Sequence, residues 1–169
     1  MHKKLTATHD LAVEVARLLT EQGLTMATAE SCTGGGIGAT LTDLAGSSQW
    51  FSGGVISYSN SAKAALLEVP AALIESHGAV SAEVVEAMAQ GGCRALSADI
   101  CVAVSGVAGP SGGSKDKPVG TVWIAWAQTS GAVSSRLYSL DGDRSRVRKN
   151  TINEALKGLI ETISISPLH

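Results

Sequence analysis

The chain has 169 residues, 44% hydrophobic and 17% charged, with a net charge of −2; this fits one domain with a substantial core and excludes a disordered chain. A charge of −2 offers nucleic acid or anionic lipid no general attraction, so neither is expected as a partner. No apolar run approaches the ~20 residues needed to cross a bilayer, so no membrane partner is expected.

With three Trp, two Tyr and one Phe, the core must be built mainly from Ala, Val, Leu and Ile. The opening "MHKKLTATHD" has lysines but no apolar stretch after them, so it is not a secretory signal. Cys32, Cys93 and Cys101 show neither even pairing nor a C-x-x-C spacing. That argues against a disulfide framework or structural zinc and for the reducing cytoplasm as location.

In chain order, Leu11, Val15, Leu18 and Leu19 share one helical face, which predicts a helix over Asp10–Gln22 ended by Gly23. Leu24–Glu30 is a short strand candidate. After the glycine turn "SCTGGG", Ile37, Leu41 and Leu44 mark a second helix. "GGVISYS" (Gly53–Ser59) reads as a strand, and Ser61–Leu67 as a short helix with Asn60 as its cap. Pro70 suits the first position of another short helix that stops at Gly78. Ser81 caps a longer helix whose inner face carries Val85, Met88 and Leu96.

"ICVAVS" (Ile100–Ser105) is continuously apolar up to its final serine, as in a strand buried on both faces. A long glycine-rich loop, Gly106–Gly120, reads as a binding loop. Thr121–Gln128 and Val133–Leu140, joined around Ser130-Gly131, predict a hairpin. The last helix starts near Asp143 and buries Ile152, Leu156, Leu159, Ile160 and Ile163. Alternating strands and helices closed by a hairpin give an α/β fold, a three-layer α/β/α sandwich around a mixed sheet, as one domain over residues 1–169.

The stretch "TAESCTGGGIGA" (Thr28–Ala39) offers two readings. It is either a plain strand-to-helix turn capped by Ser31 or Thr33, or a turn presenting Ser31 or Cys32 as a nucleophile beside free backbone N–H groups. A helix N-terminus would activate Cys32, whereas core packing is the ordinary fate of a cysteine there.

Stock nucleophile motifs fail. G-x-S-x-G is absent, neither glycine cluster ends in Gly-Lys-Ser/Thr, and Asn60 holds the serine position of an S-x-x-K ending at Lys63. His2, His9, His77 and His169 lie at termini or helix ends, which leaves a histidine base or a zinc centre without support. A serine base must then be something else. "YSNSAK" supplies Lys63 near a helix start, where burial and the helix dipole both favour the neutral amine, with Tyr58 nearby; the alternative is a solvated lysine and a rim aromatic. In "GDRSRVRK", Arg144 and Arg148 fall on one helix face and suit a phosphate, or form a basic turn balanced by Asp141 and Asp143.

Together, "TAESCTGG", "GSSQWFSGGVISYSNSAK", "SGVAGP", "KPVGTVWIA" and "GDRSRVR" make the chain resemble the CinA C-terminal domain family over nearly its whole length. The resemblance implies a nicotinamide-nucleotide amidase of pyridine nucleotide salvage, which converts nicotinamide mononucleotide to nicotinate mononucleotide and ammonia. Lacking room for the N-terminal domain of many relatives, the chain looks like the stand-alone form. By resemblance Ser31 is the nucleophile, Lys63 its base and Tyr58 an aid to proton transfer. Thr33, Gly34 and Gly35 line the oxyanion turn, while Ser105, Gly106, Ala108, Gly109 and Pro110 wall the cleft.

Extending the helix geometry, Arg144 and Arg148 serve the substrate phosphate. No metal or organic cofactor is required, and the partner is the small-molecule substrate. Ser61, where relatives often carry an acid, and the loop "SGGSKDK" depart from the family pattern without touching Ser31 or Lys63. The rival reading is a non-catalytic nucleotide-binding or sensing module. A small, alanine-rich chain is also compatible with a homo-oligomer such as a dimer, though no interface is legible.

Overall fold

A computed structural model describes residues 7–165; His2 and His169 lie outside them. Helix α1 spans Thr8–Gln22, starting two residues before the predicted Asp10, and buries Leu11, Val15, Leu18 and Leu19. Gly23 ends it with a left-handed φ of 64° that an L side chain rarely adopts. Strand β1 is Met26–Glu30, fully buried. It starts later than Leu24 because the Leu24 N–H still closes the end of α1 on Leu19 O.

Helix α2 (Gly36–Thr42) buries Ile37 and Leu41. Strand β2 is Phe51–Ile56 rather than Gly53–Ser59. The shift follows from pairing, since Met26 lies opposite Phe51 and the ladder with β1 runs to Glu30 opposite Ile56. Helix α3 (Asn60–Leu67) is capped by Ser59, whose hydroxyl accepts from the Ala62 N–H, so Asn60 is the first helical residue and not the cap. Pro70 likewise precedes α4 (Ala71–His77) as its N-cap. Ser81 caps α5 (Ala82–Leu96) as predicted.

The mid-helix pair Gly91-Gly92 is a packing requirement. A Cβ at Gly91 would fall 2.0 Å from Leu67 O, and one at Gly92 2.3 Å from Cys101 Sγ, so α5 lies directly on α3 and the sheet. The remaining elements are a short 3-10 turn (Ser47–Gln49) before β2, then β3 (Ile100–Gly106), β4 (Thr121–Gln128), β5 (Val133–Ser139) and α6 (Arg144–Ile165). On α6, Leu156, Leu159 and Ile163 are buried as predicted, while Ile152 and Ile160 are partly buried against the same core.

The five strands form one sheet in the order β2-β1-β3-β4-β5. The first three are parallel and the last two antiparallel additions, which makes the sheet mixed. One core packs α1, α2 and α6 on one face; the other packs α3, α4 and α5 on the opposite face. The architecture is therefore the expected α/β/α sandwich. The parallel neighbours β1 and β2 send their chains to opposite faces, β1 into α2 and β2 into α3. A crevice opens at carboxyl ends arranged in this way, and open α/β sheets place ligands there.

Candidate active site

Ser31 follows directly on β1, buried, with its N–H on Val104 O at 3.1 Å, so the neighbouring strand β3 fixes its backbone. The chain then turns through Gly34 (φ 58°) and Gly35 (φ 97°) into α2. Neither Ser31 nor Thr33 caps that helix; Gly35 occupies the N-cap position with no side-chain bond. The work is done by Glu30, 1% exposed. Its Oε1 accepts from Thr33 Oγ1 (2.6 Å) and the Ile37 N–H (2.9 Å), and its Oε2 from the Gly38 N–H (3.0 Å). A carboxylate reaching up from the strand satisfies the orphan donors of the first helical turn and leaves the Ser31 hydroxyl free for other partners.

Those partners come from α3. Lys63 is 1% exposed, and its Nζ lies 3.0 Å from Ser31 Oγ, 2.8 Å from Ser57 O and 3.1 Å from Tyr58 O. None of the ion pairs among the described residues includes it. Burial therefore acts on the amine without a compensating carboxylate and lowers its pKa. The geometry suits the neutral form. A neutral amine has two N–H groups and one lone pair. The carbonyls of Ser57 and Tyr58 can only accept, so they take both N–H groups. The lone pair is left facing the Ser31 hydroxyl, which is the arrangement a general base needs.

Cys32 is buried, and burial pushes its thiol up to about 11. The helix terminus does not activate it, because Glu30 occupies the first N–H groups of α2 and also disfavours a nearby thiolate. Of the two neighbouring nucleophile candidates, only Ser31 has its side chain within hydrogen-bond distance of the Lys63 amine.

Within the turn, the Gly34 N–H donates to Ser31 O (3.1 Å) and the Gly36 N–H to Thr33 O (3.0 Å). The N–H groups of Cys32, Thr33 and Gly35 have no backbone partner among the described residues. Arg148 clamps the turn from α6, donating from Nε to Cys32 O and from Nη2 to Thr33 O, each at 3.1 Å. Its partner one turn away, Arg144, does something different. Nη1 donates to Gly109 O (2.8 Å) and Nη2 to the Tyr58 hydroxyl (3.2 Å), which joins α6, the β3–β4 loop and the end of β2. The Tyr58 side chain is thus exposed on the rim beside Arg144, and it is the Tyr58 carbonyl that meets Lys63.

Ser105 is buried at the end of β3. Gly106 is needed for strand packing, since a Cβ there would lie 2.6 Å from Val122 Cγ2 and 2.8 Å from Thr121 O. Beyond it, Ala108, Pro110 and Val119 face Gly142 and Arg144 across a cavity of about 460 Å³; Gly109 and Pro110 are joined by a cis peptide. The far part of this loop is anchored to the end of α4 by Lys117 Nζ on His77 O (2.9 Å). His9 lies on α1 and His77 ends α4, pairing at 3.7 Å with Glu83, so neither serves Ser31. Among the described residues no group of three metal-ligating side chains is present, and no helix is long and apolar enough to cross a membrane.

Sequence reasoning missed Glu30 and Ser57. Both are local to quoted segments, but a cap delivered from a strand and a carbonyl aimed at an amine leave no pattern in residue spacing.

Comparison with known proteins places the chain in a family. The chain is 50% identical over 151 residues to a nicotinamide-nucleotide amidohydrolase PncC of Pseudomonas putida, covering 89% of this chain and 94% of that one. It is 51% identical over 145 residues to a CinA-like protein of Geobacter sulfurreducens, covering 86% of this chain but 35% of that longer protein. A crystal structure of a competence-damaged protein (CinA) superfamily member from Klebsiella pneumoniae superposes with a TM-score of 0.92 at 37% identity, covering 95% and 100% of the two chains. Residues 8–163, which hold the serine turn, the buried lysine and the arginine helix, match the model of the CinA C-terminal domain, and the chain belongs to that family.

Proposed function

We propose that the chain hydrolyses the carboxamide of nicotinamide mononucleotide to nicotinate mononucleotide and ammonia, with Ser31 as nucleophile and Lys63 as general base. The observation that carries the reading is the buried, carboxylate-free Lys63 with Nζ 3.0 Å from Ser31 Oγ. The relatives named as nicotinamide-nucleotide amidohydrolases support the substrate.

The Ser31 proton passes to Nζ as Oγ bonds to the carboxamide carbon, and the C=O electron pair moves onto oxygen. In this reading the N–H groups of Thr33 and Gly35, which have no backbone partner among the described residues, stabilise that oxyanion, while the Gly34 N–H serves Ser31 O. Collapse breaks the C–N bond, and Lys63 returns the proton to nitrogen, which leaves as ammonia. Water then adds to the acyl carbon, its proton passes to Lys63, the C–Oγ bond breaks and Ser31 regains its proton. Arg144, on the rim with Tyr58 and the Ala108–Pro110 wall, receives the phosphate. Arg148 holds the turn through Cys32 O and Thr33 O. No step calls for a metal or cofactor, and such a deamidation fits cytoplasmic pyridine nucleotide salvage.

Ammonia release from nicotinamide mononucleotide, the riboside and free nicotinamide tests the reading. Turnover is expected with the mononucleotide, lost in Ser31→Ala while binding persists. Binding by wild type without any ammonia release would leave a nucleotide-binding module instead.

A further inference from the structure

Three buried side-chain oxygens among the described residues have no hydrogen-bond partner: Gln22 Oε1, Thr28 Oγ1 and Ser57 Oγ. Gln22 lies at the end of α1, tied by its amide nitrogen to Ile163 O. Thr28 Oγ1 fits against Gly54, where a Cβ would fall 2.4 Å from it. Ser57 is different in its position. It is fully buried, and its carbonyl accepts from Lys63 Nζ at 2.8 Å. Its N–H donates to Glu30 O at 2.8 Å, which extends the β1–β2 ladder one step past Glu30 opposite Ile56. That register sets Ser57 beside Ser31 at the ends of adjacent parallel strands.

A buried hydroxyl without a partner is unfavourable, and a role along the reaction path is one reason such a group is kept. The lysine chemistry supplies a use. In the resting state the two carbonyls and the Ser31 hydroxyl satisfy a neutral Lys63 completely. Once the Ser31 proton is on Nζ, the amine carries three N–H groups. Ser31 Oγ is by then bonded to carbon on both sides and is a weak acceptor. Two N–H groups keep the carbonyls of Ser57 and Tyr58, and the third needs an acceptor until it protonates the leaving nitrogen.

We propose that Ser57 Oγ is a positioning residue that accepts this third N–H and holds the Lys63 ammonium in place while Ser31 is covalently engaged. The inference rests on the serine–lysine reading above. It adds no bond-making step; the proton still travels from Ser31 Oγ to Nζ and on to the leaving nitrogen.

The test compares Ser57→Ala and Ser57→Thr with wild type in steady-state ammonia release from nicotinamide mononucleotide and in urea unfolding. Loss of a hydroxyl without a resting-state partner leaves the unfolding midpoint of Ser57→Ala unchanged or raised. Its kcat is expected to fall about tenfold with KM unchanged, as for an interaction made only along the reaction path. Ser57→Thr, which restores the hydroxyl, recovers the rate. Should its added methyl lower the midpoint, the two Ser57→Ala measurements decide alone. An unchanged kcat in Ser57→Ala overturns the proposal, and so does a kcat loss accompanied by a lowered midpoint, which would mark a structural role. If Ser31→Ala is inactive in the same assay, such a failure concerns Ser57 alone. An active Ser31→Ala would remove the serine–lysine reading itself.

Discussion

Glu30→Ala is the substitution that most directly probes how the Ser31 turn is held. The carboxylate accepts three hydrogen bonds, from Thr33 Oγ1, the Ile37 N–H and the Gly38 N–H, at a position 1% exposed. Truncation strands three donors, and a buried donor without its acceptor costs about 1–3 kcal/mol. Allowing for partial relaxation of the first turn of α2, the loss comes to about 3–5 kcal/mol, several times an ordinary N-cap deletion of about 1 kcal/mol. For a chain of this size that lowers Tm by about 6–20 °C.

Glu30→Gln separates charge from shape. It keeps one oxygen for Thr33 and Ile37 but turns an NH₂ toward the Gly38 N–H, so about 1–3 kcal/mol should be lost. Urea unfolding followed by circular dichroism measures both. If Glu30→Ala unfolds within about 1 kcal/mol of wild type, the carboxylate does not hold the turn and the account of the cap is wrong.

Lys63→Met removes the buried amine and with it ammonia release. Because burial lowers the Lys63 pKa in the fold, the unfolded chain binds more protons between the folded value and the ordinary 10.5. Wild-type stability should therefore rise relative to Lys63→Met as pH climbs through that window, by up to about 1.4 kcal/mol per pH unit. A stability difference that stays flat up to pH ~10.5 would mean that Lys63 is not desolvated. In activity the same group sets the acidic limb of kcat/KM, lost as pH falls through the folded Lys63 pKa. The two arginines should part company. Arg144→Ala is expected to raise KM about tenfold or more with little change in kcat, whereas Arg148→Ala, which releases Cys32 O and Thr33 O, should lower kcat. Equal KM effects from both would place both on the substrate.

Much of the scaffold was legible because its signals are local. The spacing of Leu11, Val15, Leu18 and Leu19 marks α1, the unbroken apolar run up to Val104 marks a strand covered on both faces, and Ser81 caps α5 by reaching three residues ahead. The errors also follow from locality. Asn60 and Ser59 are equally good caps by composition, and only the end of the β1–β2 ladder decides where α3 can start. The two arginines, one turn apart on α6, take different partners because the turn after β1 lies under one and the β3–β4 loop under the other.

By itself, then, the sequence determined the alternation of strands and helices, the glycine turn and the short set of residues able to do chemistry. What tertiary structure alone decided is which of them meet. Lys63 and Ser31 are 32 residues apart, and Arg148 and Cys32 are 116 apart. The register of β1 against β2 and the exit of their chains to opposite faces close the first gap, and the packing of α6 closes the second. The solvated or buried fate of a lysine is likewise no property of "YSNSAK". It depends on α3 packing against α5 beside the ends of β1 and β2, with two carbonyls and one hydroxyl gathered around an amine from which water is excluded.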